Sequence, residues 1–249
     1  MTVKEFLDRD RIRELIAAGD LEAVYREYFS QGLNPRALSE YLFNKRINPL
    51  DYFEDSIPDY AFYMYCRVTS ITIPNAVTCI GKYAFFRCEF ITDITIPDSV
   101  TTIDSQAFYG CKRLTDVTFG KNSQLTTVGE GAFGLCELLT SIDLPESVTE
   151  IGKRAFYACH WMSDIIIPNN VTTIGAEAFS LCYNLTNVTI PSSVTKIDSW
   201  AFGGKNNLTA INYKGTKAEW RQINKNSKWH AHSPLKVIHC TDGDVWLNY

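Results

Sequence analysis

Apolar and polar positions along this chain recur on a fixed schedule. From Ile57 to Tyr213 the pair Ala-Phe returns at Ala61-Phe62, Ala84-Phe85, Ala107-Phe108, Ala132-Phe133, Ala155-Phe156, Ala178-Phe179 and Ala201-Phe202. The steps are 23 residues, apart from one of 25 between Phe108 and Phe133. Self-similarity at such a period is the signature of a repeat solenoid.

Each unit divides into three parts. The first alternates apolar and polar residues at period two, which predicts a short strand with Ile71/Ile73, Ile94/Ile96, Val117/Phe119, Ile142/Leu144, Ile165/Ile167, Val188/Ile190 and Ile211/Tyr213 inward. Pro74, Pro97, Pro145, Pro168 and Pro191 close most of them, because a residue without an N–H cannot continue a ladder. The second part is a V-x-x-I pair such as Val100 and Ile103. It is followed by Gly81, Asp104, Gly129, Gly152, Gly175 or Asp198, where a tight corner with left-handed backbone is expected. The third is an Ala-Phe-x-x-Cys turn, whose small, large and small side chains fill the inside of the coil.

The inward positions of one unit cannot form a core alone; each contributes roughly 1.5–3 kcal/mol only when a neighbour covers it. Stacking at about 4.8 Å per coil predicts seven parallel strands in a sheet roughly 29 Å long. The longer step lies at Phe119-Gly120-Lys121-Asn122-Ser123-Gln124-Leu125, where the closing proline is lost. It reads as a loop insertion that leaves both flanking strands in phase.

The strings Leu114-Thr115-Asp116-Val117-Thr118-Phe119 and Ile91-Thr92-Asp93-Ile94-Thr95-Ile96-Pro97-Asp98-Ser99-Val100-Thr101-Thr102-Ile103, with the recurring Ala-Phe-x-x-Cys, resemble the BspA-like leucine-rich repeat. The likeness covers residues 57 to 213. It implies an α/β repeat solenoid, a right-handed parallel β-sheet coil, and a role like that of bacterial or protist surface and interaction proteins, several of them adhesins.

Open solenoid ends expose apolar faces, so caps are expected. Residues 1–55 read as a helical N-terminal cap. Thr2 and Glu5 form a capping box before one helix carrying Phe6, Leu7, Ile12, Leu15 and Ile16, ended by Gly19. Asp20 starts a second with Leu21, Val24, Tyr25, Tyr28 and Phe29, and Asn34-Pro35 a third with Leu38, Leu42 and Phe43 inward. A separate recognition domain is the alternative, but 11 acidic residues against 8 basic ones argue against DNA. Residues 56–213 form the repeat, about 6.5–7 coils. Residues 214–249 read as a small α+β C-terminal cap, with a capping box at Thr216 and Glu219, a helix bearing Trp220 and Ile223, a strand Val237–Cys240 and a turn at Asp242-Gly243.

Composition changes this picture little. Apolar residues make up 45% and charged residues 21%, and the net charge of −4 gives no electrostatic reason for a nucleic acid or an anionic membrane as partner. No apolar run approaches a transmembrane helix. No basic region followed by an apolar one opens the chain, which favours a cytoplasmic location, with a surface or secreted one as alternative.

Of the eight cysteines, Cys88, Cys111, Cys136, Cys159 and Cys182 occupy one phase of the repeat. That predicts a buried thiol ladder: in-register side chains point the same way, which disfavours disulfides, and a straight row cannot make a tetrahedral zinc site. His230, His232, His239 and Cys240 lack zinc-ligand spacing, and in a strand His239 and Cys240 face opposite sides. No nucleophile, phosphate-loop or metalloprotease motif occurs, so no enzyme, metal or cofactor is expected. The sequons at Asn170, Asn184, Asn187 and Asn207 follow from the repeat's own Asn and Thr content.

The expected function is a non-enzymatic scaffold binding another protein. Its outward strand columns are Ser70, Asp93, Asp116, Ser141, Asp164, Asn187, Ala210 and Thr72, Thr95, Thr118, Asp143, Ile166, Thr189, Asn212. A loop column precedes them: Arg67, Phe90, Arg113, Leu138, Trp161, Asn184, Asn207. Phe90, Leu138, Trp161 and Ile166 break the pattern with large apolar groups, and with Arg113 they have the composition of an interaction hot spot. Asp93, Asp116, Asp143 and Asp164 complete the candidate partner-binding set. The alternative is a surface adhesin for a host matrix protein or glycan.

Overall fold

The computed structural model describes residues 1–44, 50, 55–64 and 69–247, without the side chains of Glu22 and Phe43. Arg67, the Phe43 side chain and much of the link between the helices and the first coil lie outside that set.

The V-x-x-I pairs supply one continuous wall. Eight two-residue strands, from Ser56–Ile57 to Asn224–Lys225, pair in parallel, each with its counterpart one coil away. Ile57, Ile80, Ile103, Val128, Ile151, Ile174 and Ile197 project from it into the core, and all are fully buried.

The Ala-Phe-x-x-Cys turns form a second wall. Ring centroids of Phe85 and Phe108, Phe108 and Phe133, and Phe133 and Phe156 lie 5.1, 5.3 and 5.6 Å apart with nearly parallel planes. The Phe85 N–H donates to the Ala107 carbonyl at 2.7 Å, and Phe108 to Ala132 at 2.8 Å, so this side too is tied coil to coil. Each cysteine from Cys88 to Cys182 is fully buried and its thiol donates to the carbonyl of a phenylalanine in the preceding coil.

The corner glycines have a different reason from the one expected. Gly81, Gly129, Gly152 and Gly175 do not have positive φ, and neither do Asp104 and Asp198. The left-handed residues come two positions later, at Tyr83, Gln106, Gly131, Arg154, Glu177 and Trp200. What selects glycine is close approach: a Cβ on Gly152 would sit 2.8 Å from the Gly129 carbonyl carbon and the Val128 oxygen.

The strand face departs from the single seven-stranded sheet expected. Ser70–Thr72, Asp93–Ile96 and Asp116–Phe119 form a three-stranded sheet. Asp164–Ile166, Asn187–Ile190, Ala210–Tyr213, Val237–Cys240 and the antiparallel Gly243–Trp246 form a second of five. Between them residues 141–144 form no strand. The sequence phase holds, since Ile142 and Leu144 are still buried. The hydrogen-bond ladder does not: the extra residues displace the coil enough that Val117 and Phe119, expected inward, are only half-buried.

Both ladders continue past Tyr213. Asn224 pairs with Lys196 and Val237 with Ala210, while Trp229 takes the alanine position of the turn, its carbonyl accepting from Phe202 N–H at 2.9 Å. The capping box at Thr216 and Glu219 starts the Lys217–Gln222 helix that interrupts this coil.

At the other end, the expected first helix is two, Val3–Leu7 and Asp10–Ala17, parted at Asp8-Arg9. Leu21–Ser30, capped by Asp20, and Pro35–Asn44 follow. The Tyr25 and Ser39 hydroxyls both donate to the Ala61 carbonyl, at 2.9 and 3.0 Å, which docks these helices on the first coil. No helix among the described residues is long and apolar enough to cross a membrane.

Candidate interaction surface

The loop column is held in register by the backbone. Leu138 N–H donates to Lys112 O (3.3 Å), Trp161 to Glu137 O (3.1 Å) and Asn184 to His160 O (3.2 Å). Each side chain is thereby presented one coil from the next. Phe90, Leu138 and Trp161 are 42%, 39% and 58% exposed. The Arg113 guanidinium lies 5.6 Å from the Phe90 ring centroid, a cation–π distance. Beside the column, Lys112 and Glu137 form an ion pair at 3.1 Å.

Sequence reasoning missed one member of this patch. Tyr183 is exposed and stacks on His160, ring centroids 4.7 Å apart. The signal was available: Tyr183 follows Cys182 at a position where Glu89, Lys112 and Glu137 are charged.

On the strand face Asp93 and Asp116 are exposed and Asp164 half-exposed. The preceding hydroxyl orients each carboxylate: Thr92 donates to Asp93 at 2.8 Å, Thr115 to Asp116 at 2.6 Å and Ser163 to Asp164 at 2.7 Å. Ile166 projects outward opposite Thr189 and is 66% exposed, an unusual position for so apolar a side chain. Asp143 is exposed too, but on the segment that forms no strand, so it is not in register with the other carboxylates. It lines a cleft of about 570 Å³ together with Val117, Phe119, Lys121, Pro145 and Ser147.

Among the described residues no group of three His, Cys, Asp or Glu side chains is arranged to hold a metal ion. The C-terminal histidines face separate neighbours: His239 pairs with Asp244 at 2.8 Å, His232 lies against Trp200, and His230 against Trp229.

Coils with one strand wall, one V-x-x-I wall and a buried Phe-Cys turn define a leucine-rich-repeat solenoid. The chain belongs to the BspA-type leucine-rich repeat family, which it matches in six copies over residues 55–160 and 122–227. The family is one of repeat scaffolds suited to binding proteins. Among solved structures, the chain is 28% identical to a leucine-rich repeat protein of T. pallidum, covering 63% of this chain and 72% of that one with a TM-score of 0.57. It is 35% identical to a leucine-rich cell surface protein of Faecalibacterium prausnitzii, covering 70% and 48% with a TM-score of 0.57. A leucine-rich repeat protein of Eubacterium ventriosum shares the fold at 24% identity, 72% and 48% coverage and a TM-score of 0.60. The chain thus spans about half the length of the latter two. No curated protein matches it significantly.

Proposed function

We propose that the chain is a non-enzymatic scaffold that binds a protein partner through its outward strand face and the row Phe90, Arg113, Leu138 and Trp161. The observation that carries this reading is the exposure of Trp161 and Ile166, 58% and 66%, in one coil, beside exposed Phe90 and Leu138. Large apolar side chains in solvent gain most when a partner desolvates them, and aromatic groups with arginine are the residues that dominate interface energetics. Asp93, Asp116 and Asp164 add oriented carboxylates beside the row, which favour a partner with basic groups at its rim. The test is capture of proteins from the source cell's lysate by the wild-type chain and by the W161D/I166D variant. Loss of a captured protein with an unchanged thermal melt supports the reading; identical capture overturns it.

A second reading is a surface adhesin for a matrix protein or glycan. The relative from Faecalibacterium prausnitzii, described as a cell surface protein, favours it over the cytoplasmic location expected from the N-terminal sequence. Protease treatment of intact source cells separates the two: digestion of the chain supports display at the surface, protection an internal location.

A further inference from the structure

Four links along the strand face, two on either side of one step, show what is missing there. Thr92 N–H donates to Thr69 O, Thr115 to Thr92 O, Ser163 to Thr140 O and Thr186 to Ser163 O, at 2.8–3.0 Å. The corresponding bond from Thr140 to Thr115 is absent, and among the described residues no backbone N–H of residues 141–144 donates to a neighbouring coil. Asp116–Phe119 is paired only with Asp93–Ile96, and Asp164–Ile166 only with Asn187–Ile190. The Ser147 hydroxyl tells the same story. Its counterparts Ser99 and Ser193 donate to Val77 O and Val171 O, at 2.6 and 2.7 Å, whereas the buried Ser147 oxygen has no partner.

The two lips are held apart from either side. Asp98 accepts from Asn122 N–H through its carboxylate and from Gln124 N–H through its carbonyl, both at 3.0 Å, drawing the inserted loop toward the preceding coil. Glu146 accepts from the Asn169 backbone and side chain at 2.8 and 3.1 Å, and its carbonyl from Asn170 at 2.7 Å, tying the other lip to the following coil. Closing the cleft would cost these bonds. Its lining is mixed, with Val117, Phe119 and Pro145 apolar among polar residues, and the Asp116–Phe119 strand beside it is paired on its other edge alone.

We infer that this cleft takes an extended peptide segment of a protein partner, whose main chain adds to the Asp116–Phe119 edge and to residues 141–144. Backbone groups left without a ladder partner favour an added strand. The cleft's volume of about 570 Å³ is that of a ligand site. Alternate side chains of the peptide point into the cleft and to solvent. The inward ones are small or apolar, against Val117 and Phe119. The outward ones are basic, because the surrounding face carries Asp93, Asp116, Asp143 and Asp164. The inference rests on the scaffold reading only in taking the partner to be a protein; the surface is separate from the Trp161 row.

The test uses a displayed library of short random peptides selected on the full chain. Enriched peptides with alternating basic and small apolar residues are expected. Their affinity should fall about tenfold or more when Lys121 and Asn122 are deleted, which restores a 23-residue coil, and when alternate peptide amides are N-methylated. Binding should also protect the Ser141 and Asp143 amides from hydrogen exchange, since their equivalents in intact coils donate toward the preceding coil, whereas the Leu144 equivalent Ile167 donates to the following one. D143W, which plugs the cleft from an exposed lip, gives the same loss if the deletion variant does not fold. Absence of enrichment overturns the inference, as do peptides indifferent to both cleft variants. Peptides lost only in W161D overturn the cleft while supporting the loop row. Failure of W161D/I166D to alter protein capture, with peptide binding intact, overturns the row and leaves the cleft.

Discussion

The Cys136 thiol donates to the Phe108 carbonyl in the preceding coil at 3.3 Å, and that same carbonyl accepts the Cys111 N–H at 3.2 Å. The phenylalanine carbonyl is therefore satisfied twice, once within its coil and once by the next. Removing the thiol leaves no orphaned acceptor, so the loss comes mainly from the cavity. C136A should cost about 1–2 kcal/mol, whereas C136S, which keeps a donor aimed at the carbonyl, should cost less. Urea midpoints of the two variants decide the matter. A serine variant less stable than the alanine one would mean that sulfur packing, not the hydrogen bond, sustains the ladder.

The same burial governs reactivity. Burial pushes the thiols of Cys111, Cys136, Cys159 and Cys182 above their usual range, Cys182 to about 12. The thiolate is the reacting species, so almost none is present near pH 8. Native protein treated with a thiol reagent should label Cys79 and Cys240, which are only half-buried, long before Cys111, Cys136, Cys159 or Cys182. Mass mapping of the labelled peptides checks this; early modification of Cys136 would contradict the packing described.

Gly152 illustrates a constraint set by the neighbouring coil. Its added Cβ would meet backbone atoms, which cannot rotate away, at 2.8 Å. G152A should therefore cost about 1–3 kcal/mol through spreading of two coils. Gly32 is the contrast: a Cβ there meets nothing within 4 Å, but its φ of +66° makes alanine strained by about 1 kcal/mol. Equal tolerance of alanine at both positions, measured by thermal melts, would refute the distinction.

Much of this fold was legible because each position of the repeat is stated several times. Ala107, Phe108 and Cys111 could be placed inward without any contact being known, and all are fully buried. The strand break was not legible. Ile142 and Leu144 keep the apolar alternation, and alternation reports which face a side chain takes, not whether its N–H reaches the next strand. The last coil was hidden for another reason: the Lys217–Gln222 helix separates its parts, and Trp229-His230 stands where Ala-Phe had been the marker. In the interaction surface, Phe90, Leu138, Trp161 and Ile166 stood out as departures from a consensus. Tyr183 did not, because its column varies from Glu89, Lys112 and Glu137 to His160, so only the loss of charge marked it.

His230 gives the C-terminal coil a pH dependence. It lies against Trp229, ring centroids 4.5 Å apart, and burial lowers its pKa from the usual 6.5. Between the two values the unfolded chain binds a proton that the folded chain does not. Stability should therefore fall as pH drops below about 6.5 and level off once the folded form is protonated too. H230Q should flatten that part of the profile. A stability curve for H230Q parallel to that of wild type from neutral to mildly acidic pH would remove His230 from the account.

The helical end is fixed to the solenoid by two donors on one acceptor. Tyr25 and Ser39 both reach the Ala61 carbonyl, and Ala61 is fully buried. Either donor alone leaves that carbonyl satisfied, so Y25F and S39A should each cost about 1 kcal/mol or less. Removing both leaves a buried carbonyl short of its side-chain partners in a region water does not enter. The double variant should lose about 1–2 kcal/mol more than the sum of the single ones. Limited proteolysis locates the effect, since weakened docking exposes the Leu21–Ser30 and Pro35–Asn44 helices to cleavage before the coils open. Additive costs in the cycle, or cleavage beginning within the coils, would show that the helices are held by their apolar contacts alone.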